Sequence, residues 1–263
     1  MSQTPGRLDG RKALVTGASR GIGRAIALRL AAEGAVVACG VRSEADGDAL
    51  VAEIAAAGGT AVGILLDVTD AASVATGVER AARPDRRLDI VVNNAGLAGT
   101  TPLDGDERSD LAFAKIFDVN VTGSWRVLRA AHPFLADGAR VVNLSSVSGR
   151  FGVPTQAAYC GAKHAVIGMT RALALELAPR KITVNAVCPG WVDTEMGRKG
   201  IRGYGKAVGL SEDEAFAAAG KMAPLGSVLV PEEIAGLVAW LASDDARSVT
   251  GQSIVIDGGQ VMP

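Results

Sequence analysis

Residues 12–23 read KALVTGASRGIG, an apolar strand candidate that runs into a glycine-rich turn and then into the start of a helix. Glycine allows a tight turn and a close approach of the backbone to a ligand, and the free amides of a helix N-terminus attract phosphate groups. The stretch therefore predicts a dinucleotide site, although an ordinary glycine turn is the alternative. The T-G-x-x-x-G-x-G spacing departs from the common G-x-G-x-x-G and indicates a subtype of the dinucleotide fold. The residues expected to contact the cofactor here are Gly17, Ser19, Arg20, Gly21, Ile22 and Gly23.

Outward from this turn, short apolar runs alternate with longer segments of helical period. The strand candidates are nearly continuous apolar runs, as in strands buried on both faces, and they lie at 12–16, 36–39, 61–65, 90–92, 140–144, 182–187 and 253–256. The helix candidates lie at 23–32, 47–57, 71–82, 108–131, 156–178 and 232–242. Asp70 is expected to cap the third helix, Pro231 to lie in the first turn of the last, and Gly34 to be left-handed after the first.

This alternation predicts an α/β fold, a Rossmann-type doubly wound parallel sheet of about seven strands. The whole chain, 1–263, is expected to form a single dinucleotide-binding domain. Residues 191–230 interrupt the alternation and are rich in glycine, lysine and alanine, with a short helical patch at 211–221. Because long insertions in compact domains are often binding loops, this segment is expected to be a substrate lid.

Composition disfavours several functional classes. The net charge is −1 and aromatic residues make up 4% of the chain, so there is neither a basic field nor a set of stacking platforms for nucleic acid. We found neither an apolar run long enough to span a membrane nor a secretion signal in residues 1–11, which predicts a cytoplasmic protein. Cys39, Cys160 and Cys188 lack metal-binding spacing and are expected to be reduced thiols.

The end of the second strand bears on the choice of cofactor. NAD sites usually place a carboxylate there to bind the ribose 2′-hydroxyl, but this sequence has Val41 followed by Arg42. Arg42 and Arg20 could together bind a 2′-phosphate, because a guanidinium matches phosphate in a bidentate manner. NADP(H) is therefore expected rather than NAD(H), unless both arginines are merely solvated surface charges.

Tyr159 and Lys163 are four residues apart on a predicted helix and so lie on one face of it. An ammonium close to a phenol favours the phenolate and lowers its pKa, which makes the phenol a better acid near neutral pH. Ser146 follows the fifth strand, at the sheet edge where open α/β proteins bind ligands. A surface Tyr–Lys pair and a turn-forming serine are the alternatives.

Together these motifs resemble the classical short-chain dehydrogenases/reductases over essentially the whole chain. Besides the turn at 16–23, the resemblance rests on Asp67-Val68, Asn93-Asn94-Ala95-Gly96, Asn120, Ser146, Tyr159 with Lys163, Pro189-Gly190 with Thr194, and Asp257-Gly258-Gly259. Each motif follows the predicted strand that it follows in the family. Ser146 also precedes Tyr159 by thirteen residues, as in the family.

The resemblance implies a role for each of four catalytic residues. Tyr159 would be the acid in ketone reduction and the base in alcohol oxidation, and Ser146 would polarise the carbonyl. Lys163 would lower the pKa of the tyrosine and bind the nicotinamide ribose, and Asn120 would complete a proton relay through water. No metal is expected.

The resemblance also implies the remaining cofactor contacts. Adenine would lie against Asp67 and Val68, and the adenosine side against Asn94, Ala95 and Gly96. The nicotinamide end would lie against the segment after the sixth strand, at Pro189, Gly190, Val192 and Thr194.

Within the family, the chain looks closest to the 3-oxoacyl-thioester reductases and polyketide ketoreductases, through YCGAKH at 159–164 and NAVCPG at 185–190. Enoyl-thioester reductases separate their tyrosine and lysine by more than one turn, unlike this chain. The expected substrate is a 3-oxoacyl-thioester-like ketone. An NAD-dependent dehydrogenase of a secondary alcohol or dihydrodiol is the alternative, and a non-catalytic cofactor-binding sensor is a remote one.

Two further expectations come from the surface. Lys199, Arg202 and Lys206 in the lid could meet a phosphopantetheine or a carboxylate, or could simply be solvated. The last helix and strand, at 231–256, and the helix that carries Glu176 have apolar faces that a monomer is not expected to cover, and the family is usually tetrameric. A homotetramer is therefore expected by resemblance.

Overall fold

The seven predicted strands are all present in the structure, a computed structural model in which residues 6–262 are described. They form one parallel sheet in the order β3-β2-β1-β4-β5-β6-β7. This order is that of a doubly wound dinucleotide fold, and it confirms the predicted fold class. The strands are β1 Lys12–Thr16, β2 Val36–Val41, β3 Thr60–Leu65, β4 Leu88–Asn93, β5 Leu135–Leu144, β6 Thr183–Pro189 and β7 Ser253–Ile256.

Helices cover both faces of this sheet. The first three are α1 Gly21–Ala32, α2 Glu44–Ala56 and α3 Ala71–Ala81, and the next two are α4 Glu107–Phe117 and α5 Gly123–Ala131. They are followed by α6 Ala157–Leu177, α7 Glu195–Val208, α8 Glu212–Lys221 and α9 Pro231–Ala242. Within residues 6–262, none of these helices is both long enough and apolar enough to cross a bilayer.

The predicted helix ends are confirmed at three places. The Asp70 carboxylate accepts hydrogen bonds from the backbone amides of Ala72 (2.8 Å) and Ser73 (3.3 Å) at the start of α3. Pro231 is the first residue of α9. Gly34 has φ +99°, and a Cβ atom there would lie 1.9 Å from an oxygen of Asp9, so glycine is required at this turn.

The predicted helix at 108–131 is wrong as a single α-helix. A π-helical turn, Asp118–Thr122, separates α4 from α5. Val119, Val121 and Thr122 are β-branched and weaken a regular helix, and Gly123 then packs so closely on Val68 that a Cβ atom would lie 2.8 Å from the valine. Asn120, which belongs to the candidate site, lies in this turn and is buried.

The core consists of two layers, one on each face of the sheet. On one face Ile26 and Leu30 of α1 pack with Ile234 and Val238 of α9. The other face is covered by residues of α3, α5 and α6, which are Val74, Val78, Val127, Leu128, Leu173 and Leu177. Successive residues of β1 supply both layers, with Leu14 on the second face and Val15 on the first, as the two-residue period of a strand requires.

The expected lid at 191–230 contains α7 and α8. The helical patch at 211–221 is confirmed, but α7 was not predicted, because four glycines within it lower its helix propensity. Packing supplies the missing stability, since Ile201 of α7 is buried against Ala215 and Ala219 of α8. Trp191 also joins this small core, and a Cβ atom at Gly200 would lie 2.8 Å from its ring.

Candidate active site

The glycine-rich turn lies between β1 and α1 and has the backbone that its sequence predicts. Gly17 has φ +64° and Gly21 has φ +55°, both in the left-handed region that favours glycine. A Cβ atom at Gly23 would lie 2.3 Å from the carbonyl oxygen of Gly17, so the turn closes tightly onto the start of α1. This cradle, which any larger residue would fill, suits the pyrophosphate of a dinucleotide.

The end of β4 holds this turn in place. The Thr16 hydroxyl accepts hydrogen bonds from the backbone amides of Asn94 (3.0 Å) and Ala95 (3.1 Å). The Asn94 side-chain amide donates to the carbonyl oxygens of Thr16 (2.9 Å) and Gly17 (3.1 Å). Asn94 and Ala95 therefore hold the glycine-rich turn, called the phosphate turn below, in its conformation. This role is distinct from their predicted contact with the cofactor.

At the end of β2, Val41 is buried and Arg42 is exposed, so no carboxylate occupies the position that NAD sites use. Asp67, after β3, accepts hydrogen bonds from the Thr69 backbone amide (2.9 Å) and hydroxyl (2.7 Å). These two bonds, helped by the charge of Arg42, lower the pKa of Asp67. Val68 is buried beside it. Arg20, in contrast, forms an ion pair with Glu195 at the start of α7.

Ser146, Tyr159 and Lys163 meet at the carboxyl edge of the sheet. Ser146 follows β5, and its hydroxyl accepts a hydrogen bond from the Ser148 backbone amide (3.1 Å). The Lys163 Nζ atom is 5.7 Å from the centroid of the Tyr159 ring and donates to the Leu144 carbonyl oxygen (2.7 Å). The α6 helix thus presents the tyrosine and the lysine on one face, as their spacing predicts.

The electrostatics of this group differ from the expectation that Lys163 lowers the pKa of Tyr159. Burial raises the pKa of Tyr159, and hydrogen bonding to Ser146, not to the lysine, opposes that rise. Burial also lowers the pKa of Lys163 to about 8. The physical reason is that desolvation penalises both charged forms, while the ammonium is bonded to a backbone carbonyl.

Asn120 lies close to Lys163. Its side-chain oxygen accepts a hydrogen bond from the Leu97 backbone amide (2.7 Å), and its side-chain amide donates to the Leu97 carbonyl oxygen (2.8 Å). A Cβ atom at Gly96 would lie 3.3 Å from the Asn120 oxygen and 3.7 Å from Lys163 Nζ. The structure therefore brings Asn120 and Lys163 together, with glycine between them.

The segment after β6 packs against the residues that follow β7. A Cβ atom at Gly190, next to Pro189, would lie 2.7 Å from the Asp257 Cβ atom, so only glycine fits there. Val192 pairs with Leu229 in a short β-bridge. Thr194 caps α7 by accepting a hydrogen bond from the Gly197 amide (3.0 Å).

A family model described as Enoyl-(Acyl carrier protein) reductase matches residues 17–260, which include every motif described above apart from Thr16, the first residue of the glycine-rich turn. The chain belongs to the short-chain dehydrogenase/reductase family. It is therefore an oxidoreductase of carbonyl and alcohol groups, and the family uses NAD(P). The glycine cradle at the β1–α1 turn fits such a dinucleotide.

Two curated relatives of this short-chain dehydrogenase/reductase carry ketoreductase names. A protein of Streptomyces virginiae, named for the ketoacyl reductase of a monensin polyketide synthase, is 41% identical over 259 residues, covering 95% of this chain and 96% of the relative. A 3-oxoacyl-[acyl-carrier-protein] reductase of Thermotoga maritima is 38% identical over 258 residues, covering 97% of this chain and 100% of the relative.

One similar solved structure is a blue fluorescent protein from a metagenomic library in complex with NADPH. Its TM-score is 0.85 at 36% sequence identity, and the match covers 97% of this chain and 100% of that one. The likeness therefore extends over both chains almost completely.

Sequence reasoning missed a buried polar chain behind the site of this short-chain dehydrogenase/reductase. The Asn93 side-chain amide donates to the Asn143 side-chain oxygen (2.9 Å), and the Asn143 amide donates to the Thr170 hydroxyl (2.9 Å). These bonds join β4, β5 and α6 directly below the catalytic edge. Two asparagines at the ends of otherwise apolar strands were the available signal, because such residues are seldom fully buried.

Proposed function

We propose that the protein is an NADP(H)-dependent reductase of a 3-oxoacyl-thioester-like ketone. The observation that carries this proposal is the placement of Ser146, Tyr159 and Lys163 at one edge of the sheet, beside the glycine cradle. The names of the two relatives support a ketoacyl substrate. The family model carries an enoyl-reductase description, but the one-turn spacing of Tyr159 and Lys163 favours ketone reduction.

When bound, a reduced nicotinamide would supply the hydride for the carbonyl carbon. Ser146 donates a hydrogen bond to the carbonyl oxygen, and Tyr159 donates its proton to the same oxygen as negative charge develops there. Burial raises the pKa of Tyr159 and so weakens it as an acid, whereas the hydrogen bond with Ser146 lowers that pKa and favours proton donation. In alcohol oxidation the same phenol accepts the proton.

Lys163 and Asn120 serve the tyrosine in this mechanism. With a pKa of about 8, Lys163 can release and regain a proton close to physiological pH, so it can resupply Tyr159. Asn120 holds the Leu97 backbone in place and would position a water molecule of the relay. Lys163 would also bind the nicotinamide ribose, close to Gly96.

The choice of NADP(H) rests on the end of β2. Val41 and Arg42 occupy the position where a carboxylate would bind the 2′-hydroxyl of NAD(H), and the exposed Arg42 side chain would meet a 2′-phosphate. The NADPH complex of the similar metagenomic protein supports the same choice. The cofactor contacts predicted at Asp67, Val68, Gly190, Val192 and Thr194 are part of this proposal.

A specific observation favours the second candidate, an NAD(H)-dependent dehydrogenase of a secondary alcohol. Arg20 is already paired with Glu195, so Arg42 is the more available of the two arginines expected to bind the 2′-phosphate. The case for NADP(H) is weaker when one of its two expected cations is already paired. If neither arginine binds the phosphate, NAD(H) is the expected cofactor. The dehydrogenase then differs from the proposed reductase only in its cofactor and in the direction of hydride transfer.

The test is a panel of 3-oxoacyl thioesters, simple ketones and secondary alcohols assayed by nicotinamide absorbance with both cofactors. We expect the highest kcat/KM for a 3-oxoacyl thioester with NADPH. Turnover of alcohols with NAD and not of thioesters with NADPH would establish the second candidate. Binding of a cofactor without turnover of any compound would favour the sensor.

We further propose a homotetramer. Leu111, Phe113 and Trp125 expose large apolar side chains on α4 and α5, and Leu175 is 80% exposed on α6. Large apolar side chains left exposed in this way are typical of protein interfaces. Light scattering should give four times the mass of one chain, and a monomeric mass would refute the proposal.

A further inference from the structure

The ion pair between Arg20 and Glu195 crosses from the phosphate turn to the lid. The Arg20 Nη1 atom donates a hydrogen bond to a Glu195 carboxylate oxygen, and the two side chains are 70% and 71% exposed. The neighbouring residues also approach each other, since a Cβ atom at Gly21 would lie 3.2 Å from the Thr194 methyl carbon. Two consecutive residues of the turn thus face two consecutive residues at the start of α7.

The ion pair occupies the Arg20 guanidinium, which the proposed NADP(H) site uses. Arg20 is one of the two cations proposed for the 2′-phosphate of NADP(H), and its guanidinium binds an anion best with both edge donors free. In the structure one of those donors is already bonded to the Glu195 carboxylate. A 2′-phosphate must therefore compete with Glu195 for Arg20. NAD(H) has a neutral hydroxyl at that position and does not compete.

We propose that Glu195 is a specificity-determining residue: it competes with the 2′-phosphate for Arg20 and so reduces the preference for NADP(H) over NAD(H). The inference rests on the proposed role of Arg20 in the cofactor site. It adds an acidic partner from the lid, 175 positions away in sequence, to the residues that set cofactor choice.

Glu195 also has an ordinary structural role that the test must separate from this one. It is the first residue of α7, where a negative side chain favours the helix dipole. Glu212 offers a matched control, because it is the first residue of α8, follows a hydroxyl cap at Ser211, and forms its own exposed ion pair with Arg202 (3.1 Å). That pair lies within the lid and does not involve the phosphate turn.

The experiment measures dissociation constants of NADPH and NADH, by nicotinamide fluorescence, for the wild type, Glu195→Gln and Glu212→Gln. Glu195→Gln should lower the NADPH constant by about two- to fivefold, the range that one exposed ion pair supports, and leave the NADH constant unchanged. The effect should shrink in molar salt, because both partners are exposed. Glu212→Gln should change neither constant.

Repeating Glu195→Gln in an Arg20→Gln background completes the test. The gain in NADPH affinity should vanish there, since no guanidinium remains for the two anions to share. Equal tightening of NADPH and NADH would overturn the inference, as it would show general repulsion of the pyrophosphate. An unchanged NADPH constant in Glu195→Gln would also overturn it, and the proposed function would still stand if Arg20→Gln weakened NADPH. If Arg20→Gln leaves NADPH binding intact, Arg20 has no place in the proposed phosphate site.

Discussion

Replacing Thr16 by valine tests whether the end of β4 shapes the phosphate turn. The side chain is 1% exposed, and valine has nearly the same shape, so the change creates no cavity. It removes the oxygen that accepts hydrogen bonds from the backbone amides of Asn94 (3.0 Å) and Ala95 (3.1 Å). Each partly buried amide left without a partner costs about 1 kcal/mol or more, so we expect a loss of about 2–3 kcal/mol.

Urea unfolding at a fixed protein concentration measures this loss, and the melting temperature should fall by roughly 5–10 °C. The NADPH dissociation constant should rise by about tenfold, because the turn at Gly17 is held by the same residues. Thr16→Ser is the control, since it keeps the hydroxyl and removes one methyl group, at a cost of about 1 kcal/mol. A valine variant as stable as the wild type would refute the proposed coupling.

Three other changes test separate parts of the structure. Gly23→Ala places a carbon 2.3 Å from the Gly17 carbonyl oxygen and should weaken NADPH binding by about tenfold or more. Its control is Gly203→Ala, which has open space around it in α7 and should stabilise the protein by about 0.5–1 kcal/mol. The pKa of Lys163 is lower in the folded protein than in the unfolded chain, so the unfolded state binds more protons between about pH 8 and 10.5. The contribution of Lys163 to the free energy of unfolding therefore rises with pH across that range. The difference between wild type and Lys163→Met in urea unfolding should show that rise, by up to about 3 kcal/mol, and a flat difference would contradict the burial of the amine. Arg42→Asp should lower the NADPH-to-NADH ratio of kcat/KM by about tenfold or more, and an unchanged ratio would remove Arg42 from the cofactor site.

The sheet was predictable because a strand that is buried on both faces consists of a nearly continuous run of apolar residues, which can be recognised in the sequence. The run at 12–16 coincides with β1, and the run at 253–256 with β7. The other strands extend beyond a predicted end, in part by apolar residues such as Leu88 and Leu135, and β6 begins one residue later than predicted. Several of the added residues are polar, small or proline, such as Asn93 and Pro189. Such residues break the apolar pattern while still pairing in the sheet.

Two helical features were not predictable, and for opposite reasons. The β-branched residues of the π turn at Asp118–Thr122 weaken the α-helix, but the turn remains helical and so its sequence marks no end of the helix. The α7 helix contains glycines at 197, 200, 203 and 205, so its local sequence argues against a helix that packing on α8 nevertheless stabilises. Tertiary contacts decide both cases.

The residues of the site were predictable from motifs, but their electrostatics were not. Spacing placed Tyr159 and Lys163 on one face of α6, and it could not reveal that burial shifts the pKa of each against its charged form. The pairing of Arg20 with Glu195 joins residues far apart in sequence and depends on where α7 lies. Charge and burial at a site thus require the fold.

The central claim is that the Tyr159 phenol gives its proton to the carbonyl oxygen during hydride transfer. Single-turnover oxidation of bound NADPH by a 3-oxoacyl thioester, followed by nicotinamide fluorescence in the wild type and in Tyr159→Phe, tests it most directly. The rate should fall by about a hundred- to ten-thousandfold while NADPH binding is retained. A Tyr159→Phe protein that transferred hydride at the wild-type rate would contradict the claim.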